Sequence, residues 1–165
     1  FVIFNADKEV ANLYKVEEIK EKLVELFGKE ILLNNEVDKL KLTSILTIEK
    51  NKKELMDYLY PILYKKAEEF IKNAVSNVIL DVPLLYPSHL DNLTDLVILV
   101  DSNLENRKNR IEKEGRDSSS LLRINASYPL TYAKKKASIV INNDQGLDNL
   151  NKQLDLIKIP KGYKY

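Results

Sequence analysis

This chain of 165 residues carries 26 basic side chains, of which only four are arginine, leaving 22 lysines. The four, Arg107, Arg110, Arg116 and Arg123, fall in one segment. A guanidinium fork grips phosphate or carboxylate through two parallel bonds, which the point charge of a lysine cannot reproduce. Its confinement to one stretch of a lysine-rich chain points to phosphate recognition there; the bland reading is a solvated helical face. Carboxylates and amides supply the other candidates. Asp7 follows the apolar run Phe1-Val2-Ile3-Phe4, and Asp81 lies inside Ile79-Leu80-Asp81-Val82-Pro83-Leu84-Leu85. Asp101 closes a third run, and Asn142-Asn143 follow a fourth. In open parallel sheets, ligands sit in the crevice beyond the carboxyl ends of the strands, where these residues would be. A carboxylate inside an apolar strand is expensive to bury without a hydrogen bond or a nearby cation, so Asp81 is expected to serve a magnesium ion or an ordered water. Asp101, Ser102 or Asn103 reads as the cap of a helix starting near Leu104. His89, the one histidine, reads as a solvated or capping loop side chain.

The elements that must position these groups follow from apolar spacing. Phe1–Phe4 reads as a buried strand that delivers polar residues at its end. Val16, Ile19, Leu23, Leu26 and Phe27 recur at helical spacing, and Gly28 supplies a C-terminal stop. After a polar turn at Asn34-Asn35, residues 38–48 read as a short helix and 53–74 as a longer one, with a kink or break expected at Pro61. Residues 77–85, 95–101 and 138–142 are runs of Val, Ile and Leu with little alternation, which fits strands buried on both faces of a parallel sheet. Residues 104–136 are charged with helical patterning broken at Gly115 and Pro129, and Leu147, Leu150, Leu154 and Ile157 mark a closing helix. Alternating strands and helices predict an α/β fold with a doubly wound parallel sheet.

Composition narrows the function classes. At 44% hydrophobic and 31% charged, the chain can bury a sizeable core as one domain, 1–165. A formal net charge of +1 gives no global attraction to nucleic acid or an anionic membrane. The nine tyrosines lack the interleaved basic and aromatic pattern of a nucleic-acid platform. Without cysteine, and with a single histidine, thiolate chemistry and histidine-rich zinc sites are excluded, and a cytoplasmic setting is expected. The apolar runs fall far short of the roughly 18 residues of a spanning helix.

Several short motifs stand in a telling order. Asn5-Ala6-Asp7-Lys8, Phe27-Gly28-Lys29-Glu30-Ile31-Leu32, Val37-Asp38-Lys39, Tyr60-Pro61, Asp81-Val82-Pro83-Leu84-Leu85, Arg123-Ile124 through Pro129-Leu130, and Ile141-Asn142-Asn143 together resemble the dephospho-coenzyme A kinase family, over nearly the whole chain. The resemblance implies a P-loop kinase fold with a helical acceptor-binding subdomain at 8–75 and a helical lid at 104–130. It implies an enzyme that moves the γ-phosphate of ATP to the 3′-hydroxyl of dephospho-coenzyme A with Mg2+. Asp7 is then the general base, accepting the hydroxyl proton. Asp38, Lys39, Tyr60, Pro83, Leu84 and Leu85 face the acceptor, Asn142 and Asn143 are the adenine-side candidates, and Arg110, Arg116 and Arg123 close over the phosphates. Nucleic acid and membrane are not expected partners.

The chain also departs from the family pattern. Asn5 replaces the first aspartate of an Asp-Ala-Asp motif, Tyr60 a histidine, Tyr64 or Lys65 an arginine, Pro87 an acidic residue and Ser127 a glutamine, and the lid is one residue shorter. The four glycines, at 28, 115, 146 and 162, form no GxxxxGK(S/T) loop, and Phe1 stands in what should be the second strand, so about 28 residues of the family pattern, with the central strand, are expected to lie outside this sequence. Two other readings remain open: a nucleoside or nucleotide kinase of the same architecture with another acceptor, which acceptor competition would reveal, and a non-catalytic binding or scaffolding module that kept the fold and lost the phosphate cradle.

Overall fold

The computed structural model describes residues 1–115 and 130–158. Two compact units divide the chain, Phe1–Leu93 and Thr94–Tyr165. The expected 8–75 subdomain falls within the first. The expected lid begins in the second, and its residues 116–129 lie outside the described ones. The α/β class holds: parallel strands alternate with helices in each unit, paired as separate two-stranded ladders.

In the first unit, β1 (Val2–Asn5) pairs in parallel with β4 (Val78–Asp81), so that Phe4 stands beside Leu80 and Asn5 beside Asp81. A helix that the apolar spacing did not predict, α1 (Ala6–Leu13), follows β1 directly. Asn5 is its N-cap, and Asp7 and Glu9 occupy its first turn, where carboxylates favour the helix dipole. Helix α2 (Glu17–Phe27) buries Ile19, Leu23 and Phe27 and ends at Gly28 as expected. Gly28 has φ +86°, and a Cβ there would collide with the Glu30 carboxylate. The polar turn at Asn34-Asn35 proves to be the two-residue loop of a small hairpin, β2 (Leu32–Leu33) against β3 (Glu36–Val37). Both asparagines have positive φ, which such loops demand and asparagine tolerates. Helix α3 (Lys39–Ile45) then leads to α4 (Glu49–Asn73).

Helix α4 corrects the expectation of a break at Pro61, for it runs through that residue without interruption. Its buried stripe, Leu55, Leu59, Leu63 and Ala67, has the four-residue spacing of one helix face and continues on both sides of the proline. Leu55 and Leu59 join the core of α2 and α3, with Leu13, Leu23, Ile31 and Leu42. Leu63 and Ala67 join a second core with Phe4, Ala6 and Leu90. Packing on either side outweighs the one hydrogen bond that the ring removes.

The second unit contains β5 (Ile98–Asp101), α5 (Leu104–Lys113), α6 (Leu130–Lys136), β6 (Ile139–Asn142) and α7 (Leu147–Asp155). Strand β5 pairs in parallel with β6, Asp101 beside Asn142. Helix α5 ends just before Gly115, as the broken patterning predicts, and Asn103 is the residue that caps its start.

The strands are shorter than the apolar runs suggested, and they are not buried on both faces. Ile3 and its neighbour Ile79 are exposed on the face of the first ladder opposite Phe4 and Leu80. In the second ladder Ile141 is buried, while its partner Val100 is 55% exposed. Apolar continuity thus overstated the burial of these strands among the described residues. No helix among the described residues is long and apolar enough to cross a membrane.

Replacing Pro61, which is exposed, by alanine restores the missing donor without disturbing the buried stripe. Pro61→Ala is expected to stabilise the protein by about 1–3 kcal/mol, read as a higher urea midpoint at unchanged m-value. A lower midpoint would show that the ring itself is held by packing.

Candidate functional site

Asn5 and Asp81 meet at the carboxyl end of the first ladder, while Asp7 stands two residues on, in the first turn of α1 and outside the pocket beside them. The Asn5 side chain works in two directions: its Oδ1 accepts from the Lys8 backbone N–H at 2.9 Å, and its Nδ2 donates to Asp81 Oδ2 at 2.7 Å. Asp81 corrects the expectation of a carboxylate buried inside a strand. It is the last residue of β4 and is exposed, because Val82–His89 leave the ladder in a series of turns. Beside it, Ile3, Phe4, Asn5, Lys8, Glu9, Phe70 and Asp81 line a pocket of about 320 Å³. Asp7, one helical step further on, is exposed, and its carboxylate has no hydrogen bond or ion pair among the described residues. Glu9, by contrast, is paired with Lys66 of α4 at 3.4 Å.

The acceptor-side candidates are dispersed over this unit. Asp38 caps α3, accepting from the N–H groups of Leu40 and Lys41, and Lys39 is exposed beside it. Tyr60 lies on α4, where burial pushes its hydroxyl up to about 12, and that hydroxyl has no hydrogen-bond partner among the described residues. Pro83 is exposed, Leu84 is half-buried, and Leu85 packs against the second core. His89 is exposed at positive φ, and its backbone carbonyl accepts from the Asn92 N–H at 3.2 Å.

In the second unit, Arg110, Asn142 and Asn143 gather at the end of β5 and β6. The Arg110 guanidinium donates to the Asn143 carbonyl at 2.5 Å and to Ser102 Oγ at 3.4 Å. Asn142 is held on both sides of its peptide by the Gln153 amide, and its side chain donates to Asp144 Oδ2 at 2.7 Å. Asp101, the strand-end carboxylate, is paired with Lys134 of α6 at 2.6 Å. Arg116 and Arg123 lie outside the described residues.

Asp144 is the residue that sequence reasoning missed. Its carboxylate also accepts from Ser102 Oγ at 2.7 Å, the Asn103 N–H at 2.8 Å and Asn106 Nδ2 at 3.1 Å, tying the loop after β6 to the start of α5. These donors, led by the Ser102 hydroxyl, hold the carboxyl well below the usual carboxylate range. The only hint in the sequence was an aspartate two residues after Asn142, the spacing at which an Asx side chain can fold back on the chain.

Among the described residues, no group of three or more His, Cys, Asp and Glu side chains is placed to hold a metal. Mg2+ rarely needs such a cage, since it keeps several waters and takes oxygens from phosphates. The exposed Asp81, with one oxygen held by Asn5, fits that mode.

Because folding lowers the Asp144 pKa, the ionised carboxylate adds stability above the ordinary aspartate range. That contribution is lost as pH falls from about 4 through the depressed folded value. Urea midpoints measured from pH 7 down to pH 2 are expected to fall in the acid range, and Asp144→Asn is expected to flatten that fall. Parallel acid limbs in the two proteins would remove Asp144 from the account.

Comparison with known proteins agrees with the motif order. The family described as dephospho-CoA kinase matches residues 2–149. Dephospho-CoA kinase of Oceanobacillus iheyensis is 35% identical over 147 residues, which is 84% of this chain and 74% of that protein. The Fusobacterium nucleatum enzyme is 30% identical over 163 residues, or 94% of this chain and 83% of the relative. Two solved structures share the fold. TT1252 from Thermus thermophilus superposes with a TM-score of 0.77 at 21% identity, covering 94% of this chain and 82% of its own. Dephospho-CoA kinase from Campylobacter jejuni superposes with a TM-score of 0.59 at 18% identity, covering 94% and 84%. With the family's pattern matched over 2–149, and relatives at 30–35% identity over most of its length, the chain belongs to the dephospho-CoA kinase family.

Proposed function

We propose that this chain serves ATP-dependent phosphorylation of the 3′-hydroxyl of dephospho-coenzyme A in the cytoplasm, with Asp7 as general base. The family is one of kinases that use ATP, and the reading rests on that membership together with one observation of this chain. Just past a parallel strand, in the first turn of α1, stands an exposed carboxylate with no partner among the described residues. A base must be unencumbered to take a proton, and Asp7 is.

In this reading the acceptor lies against Asp38, Lys39, Tyr60, Pro83, Leu84 and Leu85, and the adenine of ATP against Asn142 and Asn143. Arg110, Arg116 and Arg123 neutralise the charge that spreads over the transferred phosphoryl oxygens, for which positioned donors matter more than covalent chemistry. Arg110 has donors to spare beyond those given to Asn143 and Ser102, since a guanidinium carries five. Asp81 is the residue that would hold a Mg2+ ion, which when bound would neutralise phosphate charge.

The test is a coupled ADP-release assay on the full-length enzyme with ATP, magnesium and dephospho-coenzyme A. Asp7→Asn is expected to lower kcat about 100-fold or more while the KM for ATP stays within about twofold, because a proton acceptor and no phosphate contact is removed. Equal weakening of ATP binding would overturn the role of Asp7. Absence of turnover with dephospho-coenzyme A in the parent enzyme would overturn the reading as a whole.

A further inference from the structure

We infer that Gln153 is a positioning residue for the adenine side of the site: its side-chain amide takes the place of a strand along the open edge of β6 and fixes the peptide from which Asn143 is presented. The inference rests on the reading that Asn142 and Asn143 meet the base. In a parallel ladder the N–H and C=O groups of successive residues point to opposite edges. On the inner edge, the Asn143 N–H donates to the Asp101 carbonyl of β5 at 2.8 Å. The peptide groups of Asn142 therefore face outward, where β6 has no strand neighbour among the described residues. Gln153 of α7 meets them there. Its Oε1 accepts from the Asn142 N–H at 2.9 Å and its Nε2 donates to the Asn142 carbonyl at 2.7 Å, the two bonds that a further strand would make.

The orientation of this amide is set by its surroundings. The second N–H of Nε2 donates to Asn149 Oδ1 at 2.7 Å, one helical turn back, so a reversed amide would face its oxygen to two oxygens and its NH2 to an N–H. Apolar burial does not account for the placement, since α7 buries none of its residues and Gln153 is half-buried. The consequence falls on Asn143. The Asn142 side chain is engaged by Asp144, to which it donates at 2.7 Å and from whose N–H it accepts at 2.9 Å. The Asn143 backbone is held by Asp101 and Arg110, while its side-chain NH2 has no partner among the described residues. A side-chain amide pairs at once with a ring nitrogen and the amino group on one edge of adenine, and guanine, with a carbonyl in place of that amino group, does not match it. Two parallel bonds of this kind depend on direction, and the direction of Asn143 follows from the peptide that Gln153 clasps.

In the full-length enzyme, Gln153→Met removes both bonds to that peptide at similar side-chain length, and Gln153→Glu keeps the acceptor but sets an oxygen against the Asn142 carbonyl. Each is expected to lower the preference for ATP over GTP, read as the ratio of their kcat/KM values, by about 10-fold through a raised KM for ATP, with kcat at saturating ATP and the KM for dephospho-coenzyme A within about twofold. Thermal midpoints are measured on the same samples. A merely structural role would weaken ATP and GTP alike and leave their ratio at the parent value. An unchanged ratio in both variants, a fall in kcat that tracks a loss of folding, or a parent enzyme that does not distinguish ATP from GTP overturns the positioning role. Asn143→Ala in the same assay keeps the two ideas apart. If it leaves the KM for ATP and the ratio intact, the reading of the adenine side fails and the inference with it. If it lowers the ratio while neither Gln153 variant does, the positioning role alone is overturned.

Discussion

The pairing of Phe4 with Leu80 sets what the rim of the first unit can do. In a parallel ladder, neighbouring residues share a face and successive residues alternate, so the register fixed by one pair dictates the next. Phe4 is held in the second core by an edge-on contact with Phe70, its ring centroid 5.5 Å away, and by Leu63 and Ala67 of α4. A slip of one residue would turn that ring out of the core and bring a polar side chain in. The apolar pair therefore places Asn5 beside Asp81 at the end of the ladder, where both side chains reach solvent and each other. Helix α4 enforces this arrangement while its other half packs with α2 and α3, so one helix joins the helical core to the strand ends.

The second unit reaches a comparable rim by other means. Its buried apolar side chains among the described residues are Ala133 and Ile141, and neither α5 nor α7 has a buried residue. Among the described residues, which bury little apolar area here, directional bonds carry more of the specification of structure. Asp144 collects four side chains and backbone groups from two elements, Gln153 clasps both sides of the Asn142 peptide, and Lys134 holds Asp101. Such a network is sensitive to charge state in a way that the helical core of the first unit is not.

What the sequence disclosed, and what it hid, follows from the range of the interactions involved. Helix α2 and its stop at Gly28 were legible because periodicity and a left-handed turn are local. Strand ends bearing Asp7, Asp81, Asp101 and Asn142 were legible as an ordered set. Helix α1 was hidden because Ala6–Leu13 opens with polar residues that resemble a loop, although an asparagine cap followed by Asp7 and Glu9 is itself a helix signal. The hairpin at Asn34-Asn35 was hidden because two-residue strands show no period. Burial of Asp81 was overestimated because an apolar run does not reveal where a ladder stops. Asp144 was out of reach, since its partners Ser102, Asn103 and Asn106 are about forty positions away and became neighbours only when β5 paired with β6.

The clustering of arginine also takes on a different weight once Arg110 is seen in place. Confinement of all four arginines to one segment pointed to phosphate because a lysine cannot supply a fork. Yet Arg110 uses its fork within the fold, bridging the Asn143 carbonyl and Ser102 Oγ, which a lysine could not span with the same geometry. The choice of arginine at 110 thus has a structural cause before any nucleotide is considered. The clustering of arginine is therefore not by itself evidence of phosphate recognition at position 110.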